Sequence, residues 1–509
     1  MPNYLIGIGA AGALLGLVLD RVQFGYSWLI AFMFFLSLTL GALFLVLVHH
    51  LFDAGWSVPI RRFCEHIASL LFPWMALAFV PIALLAPRLY GWMQVQDPHA
   101  DHALHAKLPL FTKPGFYLVA LACFAIWWWL SHSLRRLSLA QDRDGAAHHT
   151  YAMRRVACLG IFLFAITLTL AAVLWMKGLM YEWFSTMYGV YYFAGSVWVT
   201  LGTVYLITMV LKRNGTLEPV LHEHQFYFLG SLLFAFTVFY AYIHFSQYFI
   251  IWNANMPEET FWYVVREKGT WWYVGMVIIF GHFFLPFLAL LRIDLKLTFA
   301  WMIPLCIWTW LMHYVDLAFN IHPYRHTGGY PFQWAWLDLA CIALIAGILT
   351  KQFLNKFGVT RRIPSRTRAS ARPWATCTFM LPRFQEVRLT RPTNWPTGRK
   401  WREVCDEVVD MLSGDGSGAG CRLVPGDCRH LPARGRPHLV GRPAHPAARR
   451  GHCPRRSPLP EPRGTPRRRP CGPDHRGYHR RQQGYLPDSH HQRRRVAPAA
   501  LAGPRRRPG

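Results

Sequence analysis

The stretch Gln225–Pro286 reads QFYFLGSLLFAFTVFYAYIHFSQYFIIWNANMPEETFWYVVREKGTWWYVGMVIIFGHFFLP. It contains two apolar runs, Phe226–Trp252 and Trp271–Leu291, and each is long enough to cross a bilayer as an α-helix, which takes about 20 residues. Both runs carry an imidazole, His244 in the first and His282 in the second. Because polar groups at membrane depth are costly and are kept mainly for function, we expect the function to lie near them.

Apolar runs of similar length recur along residues 1–360. Their lengths and hydropathy predict an all-α polytopic membrane protein with about ten transmembrane helices. The predicted spans are 3–19, 28–51, 69–90, 114–134, 155–175, 187–211, 225–252, 271–291, 297–320 and 333–355.

A faint internal repeat divides the spans into two groups. The motif Thr39-Leu-Gly41 recurs as Thr200-Leu-Gly202, so the offset is 200 − 39 = 161 residues. This offset lays spans two to five over spans six to nine. The sequence therefore predicts two four-helix bundles, within 28–175 and 187–320, and one flanking helix at each end. Small-residue spacing also recurs in membrane helices through packing alone, which is the alternative explanation.

The basic charge is concentrated in residues 361–509. They hold 33 Lys+Arg and 10 Asp+Glu, which is 33 − 10 = +23 of the net +28. No hydrophobic period is present there, and no Lys, Ile, Phe or Asn follows Lys400. Translation of GC-rich DNA in a wrong frame would give this composition. We therefore expect a disordered tail rich in Arg, Pro and Gly, which is either frameshifted or a genuine basic arm, and we expect no nucleic-acid partner.

The loop charges predict the orientation. With ten spans, 15 Lys and Arg residues lie on one side and 8 on the other. Because cytoplasmic loops carry an excess of Lys and Arg, both ends of the helical domain are predicted to face the cytoplasm, and the link at residues 253–259 is predicted to face outward.

The ionisable groups of the later spans form a candidate proton path. His313 and Asp316 are three residues apart and therefore lie on one helix face within reach of each other. His244 and His282 could extend the path, because imidazole titrates near neutrality. The hydroxyl or amide links of the path would be Tyr240, Tyr248, Ser246 and Gln247. The alternative is that each histidine is a satisfied packing group between helices.

Further candidates lie at predicted helix ends. Glu258 and Glu259 are candidates for an outer-face exit or a partner contact, or are solvated loop carboxylates. Asp338, near the start of the last span, is expected at the membrane interface. Candidates for a cytoplasmic proton entry are Glu65, His66, His222, Glu223 and His224. Polar helix ends are common, so these residues have an ordinary explanation as well.

The sequence predicts no metal site on this chain. The cysteines lack the paired C-x-x-C spacing of a zinc site and the C-x-x-C-H spacing of haem c attachment. His244, His282 and His313 could in principle ligate a b-type haem. The repeated same-helix histidine spacing of a dihaem cytochrome b is absent, which argues against it.

Several motifs are shared with one known family. They are TMYGVYYFAG at 186–195, LFAFTVFYAY at 233–242, FSQY at 245–248, NANMPEE at 253–259 and GHF at 281–283. Together they resemble the second NrfD-like membrane subunit of bacterial alternative complex III. The resemblance covers roughly residues 25–355. One departure concerns the fifth span, where Leu174-Trp175 stands in place of the Asp-Trp pair that is usual in the family.

The resemblance implies a multi-pass subunit of a quinol:cytochrome c (or other acceptor) oxidoreductase in the bacterial inner membrane. Haem c and iron–sulfur clusters would belong to partner subunits, a multihaem cytochrome c and an iron–sulfur protein. Quinol oxidation would belong mainly to a sister NrfD-like subunit, although quinol could also contact this chain. This chain would then contribute proton conduction and assembly, with no catalytic residue or prosthetic group of its own. His282, His313, Asp316, Glu258 and Glu259 match the family pattern.

Two other functions are open at the level of sequence. One is a quinone-binding membrane anchor of a molybdo- or iron–sulfur reductase. The other is a secondary transporter built on the repeat. Transporter spans are typically broken by Gly or Pro at equivalent positions of both halves, and Pro286 and Pro304 have no clear counterparts at the 161-residue offset.

Overall fold

The computed structural model describes residues 2–97, 99, 101–108, 110–214, 221 and 223–359. Throughout these residues the regular structure is helical and no strand is present. Ten of the described helices are long and apolar enough to cross a membrane, so the chain is an integral, multi-pass membrane protein. The prediction of a disordered tail at 361–509 lies outside the described residues.

The ten spans match the predicted spans in number and order. Several are longer than predicted, and the fourth continues well past residue 134, to Asp144. The first to tenth spans are Pro2–Leu19, Arg21–Phe52, Gly55–Leu89, Lys113–Asp144, Ala147–Met180, Tyr188–Arg213, Glu223–Ala254, Trp271–Leu291, Phe299–Tyr324 and Phe332–Gly358. Short helices between spans are His102–His105, Pro257–Arg266 and Ile293–Leu297.

Three spans contain π-helical turns. These are Leu71–Met75 in the third span, Ala172–Met176 in the fifth and Ile278–Phe284 in the eighth. In the third span, Phe72 leaves helical geometry (φ −134°, ψ 133°) just before Pro73, because proline disfavours the helical conformation of the residue that precedes it. The turn in the eighth span contains His282, one of the predicted site residues.

The spans form two four-helix bundles with a flanking helix at each end, as predicted. The second to fifth spans pack in one bundle and the sixth to ninth in the other. The first span packs along the tenth, and the tenth lies against the second. The second and sixth spans are the most buried because they form the main contact between the bundles.

The two copies of the repeat motif meet at this contact. Thr200 Oγ1 donates to the carbonyl oxygen of Leu38 at 3.1 Å. Gly41 lies so close to the sixth span that a Cβ atom there would be 2.5 Å from the carbonyl oxygen of Ser196. Any larger residue at position 41 would push the spans apart, so a small residue sets the spacing of the two bundles.

The loops lie on two sides of the helical domain. We call the side with residues 145–146 and 292–298 the basic side, and the side with residues 181–187 and 255–270 the opposite side. These are the sides that the loop charges predict to be cytoplasmic and outer, respectively.

Candidate functional site

A buried carboxyl group, Asp316, lies at the centre of the candidate site. It is 3% exposed, in the ninth span. Its Oδ1 accepts hydrogen bonds from Tyr240 OH at 2.7 Å and from Tyr191 OH, and the two hydroxyl oxygens are 3.3 Å apart. Among the described residues, Asp316 forms no ion pair with a cationic side chain. A carboxyl group at membrane depth that is held by hydroxyl groups alone is suited to gaining and losing a proton.

Tyr240 brings three of the predicted residues together. Its hydroxyl binds Asp316 of the ninth span, and its ring stacks on His282 of the eighth span, with centroids 3.7 Å apart and planes at 18°. The ring of His244, one helical turn further along the seventh span, meets it edge-on at 5.8 Å. Tyr240 was predicted as one of several links, and in the structure it is the residue that contacts all three.

His282 is held by aromatic stacking. Its imidazole is fully buried between the rings of Trp198 and Tyr240, at centroid distances of 3.8 and 3.7 Å. Neither ring nitrogen has a hydrogen-bond partner within the described part of the chain. A buried unpaired polar group costs about 1–3 kcal/mol, and such exceptions are often connected with function.

His313 and Asp316 have different partners, although they share one helix. His313 Nε2 lies 2.8 Å from Ser37 Oγ of the second span, and its ring packs against Phe34 at 5.4 Å. At Gly195 of the sixth span, a Cβ atom would be 3.2 Å from His313 Cε1, so a glycine there makes room for the ring. His313 therefore lies at the contact between the bundles, whereas Asp316 binds residues of its own bundle.

A chain of polar groups continues from Asp316 toward the opposite side. Asn320 Nδ2 donates to Tyr191 OH at 2.9 Å and to the carbonyl oxygen of Asp316 at 2.8 Å. Its Oδ1 accepts from Tyr188 OH at 3.0 Å. Asn320 was not among the predicted residues, although its position four residues after Asp316 places it on the same helix face.

Arg266 is the last residue in this series of polar groups. It ends helix Pro257–Arg266, which was not predicted from the sequence. Its side chain donates to the carbonyl oxygens of Phe319 and Asn320, both at 2.9 Å, and its guanidinium lies 3.4 Å from the ring centroid of Trp262. Burial lowers the pKa of Arg266 to about 9, so the group is still a cation at neutral pH. The sequence feature that could have indicated this residue is a charged side chain at the end of an amphipathic segment between two spans.

The predicted outer-loop residues lie in the first turn of the same helix. Glu258 is exposed and Glu259 is half-buried. Acidic side chains at a helix N-terminus interact favourably with the helix dipole, which is an ordinary structural reason for both. The backbone of Glu259 also contributes, because its carbonyl oxygen accepts from Trp183 Nε1 at 3.0 Å.

Glu65, a predicted entry residue, belongs to a group of four buried ions on the basic side. Arg61 Nε lies 3.2 Å from Glu65 Oε1, Arg62 Nη1 lies 2.8 Å from Glu65 Oε2, and Arg62 Nη2 also pairs with Asp142. We call Arg61, Arg62, Glu65 and Asp142 the four-ion cluster. Its two positive and two negative charges balance, so Glu65 has the contacts of a structural counter-ion.

The other predicted entry residues are divided between a buried and an exposed group. His66 is fully buried, with its Nδ1 2.8 Å from Arg135 Nη1 of the fourth span. Glu223 and His224 are exposed at the start of the seventh span. His222 lies outside the described residues.

Another buried acid, Asp338, was expected at the membrane interface. The structure buries it to 1% exposure in contact with two neighbouring segments. Its Oδ2 lies 2.9 Å from His322 Nε2 and accepts from Tyr314 OH at 2.8 Å. Tyr314 is adjacent in sequence to His313, so the ninth span carries polar contacts on two of its faces.

No protein-family model matches this chain, and no curated protein sequence matches it significantly. The resemblance to NrfD-like subunits therefore stays a prediction. The function has to be inferred from the membrane fold and from the residues around Asp316.

Proposed function

We propose that the chain is a proton-conducting membrane subunit of a quinol:cytochrome c (or other acceptor) oxidoreductase in the bacterial inner membrane. The observation that supports proton conduction is the environment of Asp316. This carboxyl group is buried in a transmembrane helix, accepts hydrogen bonds from Tyr191 and Tyr240, and forms no ion pair among the described residues. Ionisable residues inside transmembrane segments are typical of proton relays.

The hydrogen bonds around Asp316 suit proton transfer. Each tyrosine hydroxyl donates to the carboxylate and can accept from a further donor, so a proton that reaches either hydroxyl can move on to Asp316. Asn320 fixes Tyr191 by donating to its oxygen at 2.9 Å. Tyr240 also stacks on the imidazole of His282. The ring nitrogens of His282 have no hydrogen-bond partner in the described part of the chain, so the hydrogen bonds around Asp316 do not extend to it.

In this proposal the redox groups belong to other subunits. The partners would be a multihaem cytochrome c, an iron–sulfur subunit and a sister NrfD-like subunit, and this chain would also serve in their assembly. The support is the family resemblance, together with a ten-span helical domain in which polar groups converge on one carboxyl group. With both ends of the domain cytoplasmic, the polar chain from Asp316 to Arg266 would lead toward the outer face.

The helix interruptions argue against a transporter built on the repeat. At the 161-residue offset, the π-turn at Leu71–Met75 corresponds to residues 232–236, which lie in the continuous helix Glu223–Ala254. The π-turn at Ile278–Phe284 corresponds to residues 117–123 of the first half, which lie in the continuous helix Lys113–Asp144. The third π-turn, Ala172–Met176, corresponds to 333–337, which lies beyond the second half of the repeat. None of the three interruptions therefore has an equivalent inside the other half, whereas equivalent interruptions are typical of such transporters.

The proton function is tested by Asp316→Asn in the whole complex, purified from membranes and reconstituted in vesicles. The matched control is Asp294→Asn, because the Asp294 side chain is 57% exposed on the basic side. We expect the number of protons moved per electron to fall in Asp316→Asn and to stay at the wild-type value in the control. An unchanged proton ratio in Asp316→Asn would contradict the proposal.

The assignment to a respiratory complex has a separate test. An affinity-tagged copy of the chain, extracted in mild detergent, should co-purify with c-type haem and with iron–sulfur clusters, which visible absorption and paramagnetic resonance detect. A chain that purifies alone, from membranes that contain it at normal levels, would contradict the assignment.

A further inference from the structure

The turn between the fourth and fifth spans brings one carboxylate and two imidazoles together on the basic side. The fourth span ends at Asp144, and the fifth begins at Ala147 with His148 and His149 in its first turn. One potential ligand atom of each of these three polar residues lies within 4.8 Å of those of the other two. We call Asp144, His148 and His149 the turn triad. It shares no residue with the polar chain around Asp316 or with the four-ion cluster.

The local backbone explains why the turn triad forms. Gly145 adopts a positive φ of 71°, which glycine tolerates without strain, and its N–H donates to the carbonyl oxygen of Gln141 at 2.8 Å. Only two residues therefore separate the helices of the two spans. Asp144 Oδ1 accepts from the backbone N–H of Ala146 at 2.9 Å, and Gln141 Nε2 donates to Thr150 Oγ1 at 2.6 Å. These contacts fix the carboxylate relative to the start of the fifth span.

The contacts inside the turn triad leave ligand atoms available. His149 Nε2 lies 2.8 Å from Asp144 Oδ2, and the ring centroids of His148 and His149 are 4.0 Å apart. An ordinary ion pair would explain the first contact but not the second. Two imidazolium cations at this separation would repel each other, so at least one ring is neutral and has a nitrogen lone pair. His149 Nδ1 is buried without a hydrogen-bond partner within the described part of the chain.

The donor set of the turn triad selects the type of metal ion. One carboxylate oxygen and two imidazole nitrogens are ligands that Zn²⁺ takes in proteins. Mg²⁺ and Ca²⁺ prefer about six or more oxygen ligands, and the triad offers a single carboxylate. The Asp144 side chain is 48% exposed and that of His149 is 11% exposed. The triad is therefore open to water on one side, which can supply the fourth ligand of a tetrahedral zinc ion.

The distances suit a tetrahedral ion after small side-chain movements. Two ligand atoms that are each about 2.1 Å from one tetrahedral zinc ion lie about 3.4 Å apart. The Asp144–His149 pair, at 2.8 Å, has to open slightly. The most distant pair, at no more than 4.8 Å, has to close by at most about 1.4 Å. The terminal torsions of Asp and His are broad, so these side chains can make both adjustments without a shift of the helices.

We propose that the turn triad binds Zn²⁺, with one oxygen of Asp144, one nitrogen from each of His148 and His149, and water as ligands. The ion would join the end of the fourth span to the start of the fifth on the basic side. No metal site was predicted from the sequence because the cysteine spacings of zinc and haem c sites are absent, and this donor set contains no cysteine. The site requires no proton transfer at Asp316, so this proposal and the proposed function can fail separately.

Modification of histidine by diethyl pyrocarbonate tests the site in the full-length protein in lipid nanodiscs. The reagent acylates an unprotonated ring nitrogen, and a ring that ligates zinc through one nitrogen carries its proton on the other. Mass spectrometry with fragmentation measures each histidine separately, so zinc bound elsewhere on the chain does not enter the result. We expect Zn²⁺ to lower the modification of His148 and His149 severalfold, and we expect an excess of Mg²⁺ to leave it unchanged.

A variant and a matched control make the test specific. Asp144→Asn keeps an acceptor for the Ala146 N–H but replaces the anionic ligand with a neutral amide, and both histidines remain as reporters. The zinc concentration for half-protection should rise at least about tenfold, because loss of a group that only orients a ligand already costs roughly 10- to 100-fold in affinity. Asp294→Asn, at a side chain that is 57% exposed on the basic side, should leave that concentration unchanged. Equal modification with and without Zn²⁺, equal protection by Mg²⁺, or wild-type protection in Asp144→Asn would each overturn the proposal.

Discussion

Two of the buried acid sites among the described residues have opposite kinds of partner. In the four-ion cluster, Glu65 and Asp142 have guanidinium partners, and the charges cancel. In the second bundle, Asp316 has two tyrosine hydroxyls and no cationic partner among the described residues. Both groups are almost fully buried. Burial alone therefore does not indicate the role of an acid in a membrane protein. The groups that contact the carboxylate are more informative.

An acid paired with fixed cations forms ion pairs that join the segments carrying those cations. Removal of one partner leaves the other charge uncompensated, so such a cluster is expected to hold the spans together. An acid held by hydroxyl groups can lose or gain its proton while its neighbours stay in place. We therefore expect Glu65 to matter for the stability of the fold and, under the proposed function, Asp316 to matter for proton transfer, and substitutions can test the two roles separately.

The largest effect is expected for Glu65→Gln. It leaves the positive charges of Arg61 and Arg62 without their shared carboxylate, which should cost about 3–5 kcal/mol. The measurement is unfolding of the purified protein by sodium dodecyl sulfate in mixed micelles. Glu258→Gln, at an exposed position, is the control and should change stability by less than about 0.5 kcal/mol. Equal stabilities of the two variants would contradict a structural role of the cluster.

An intermediate effect is expected for Asp316→Leu. The substitution removes the acceptor of the Tyr191 and Tyr240 hydroxyls but leaves no unpaired charge, so the loss should be about 1–3 kcal/mol in the same assay. A loss as large as that of Glu65→Gln would show that the Asp316 group is also a main support of the fold.

The smallest effect on stability is expected for Asp316→Asn. The amide oxygen can still accept from both tyrosines, so the change should be about 1 kcal/mol or less. The same variant is expected to lose proton transport, so the function should be lost while the stability is nearly unchanged. A strongly destabilised Asp316→Asn protein would remove the contrast between the two buried acids.

Much of the fold could be predicted from the sequence. Span number and order follow from runs of apolar residues, because bilayer thickness fixes the length that a helix needs. The division of the spans into two bundles was predicted from the Thr-Leu-Gly repeat. Helix Pro257–Arg266 was missed because its moderate polarity looks like that of a loop, although its 10 residues present an amphipathic pattern.

The candidate site was predictable only in part. His244, His282 and Asp316 stand out as polar residues in apolar runs, and the structure brings all three to Tyr240. The pairing of His313 with Ser37 was not predictable, since the two residues belong to different bundles. It depends on the rotation of each helix about its axis, which the hydropathy of nearly all-apolar spans does not encode.

The sequence by itself determined that this protein crosses the membrane about ten times and which few polar residues lie inside, because both depend on local composition. Only the tertiary structure decided which partner each polar residue has. That choice made Glu65 one member of a balanced ion cluster and left Asp316 to two tyrosines. The physical reason is that hydrogen bonds and contact ion pairs form only between atoms about 3 Å apart, so they depend on helix packing across the bundles and not on position along the chain.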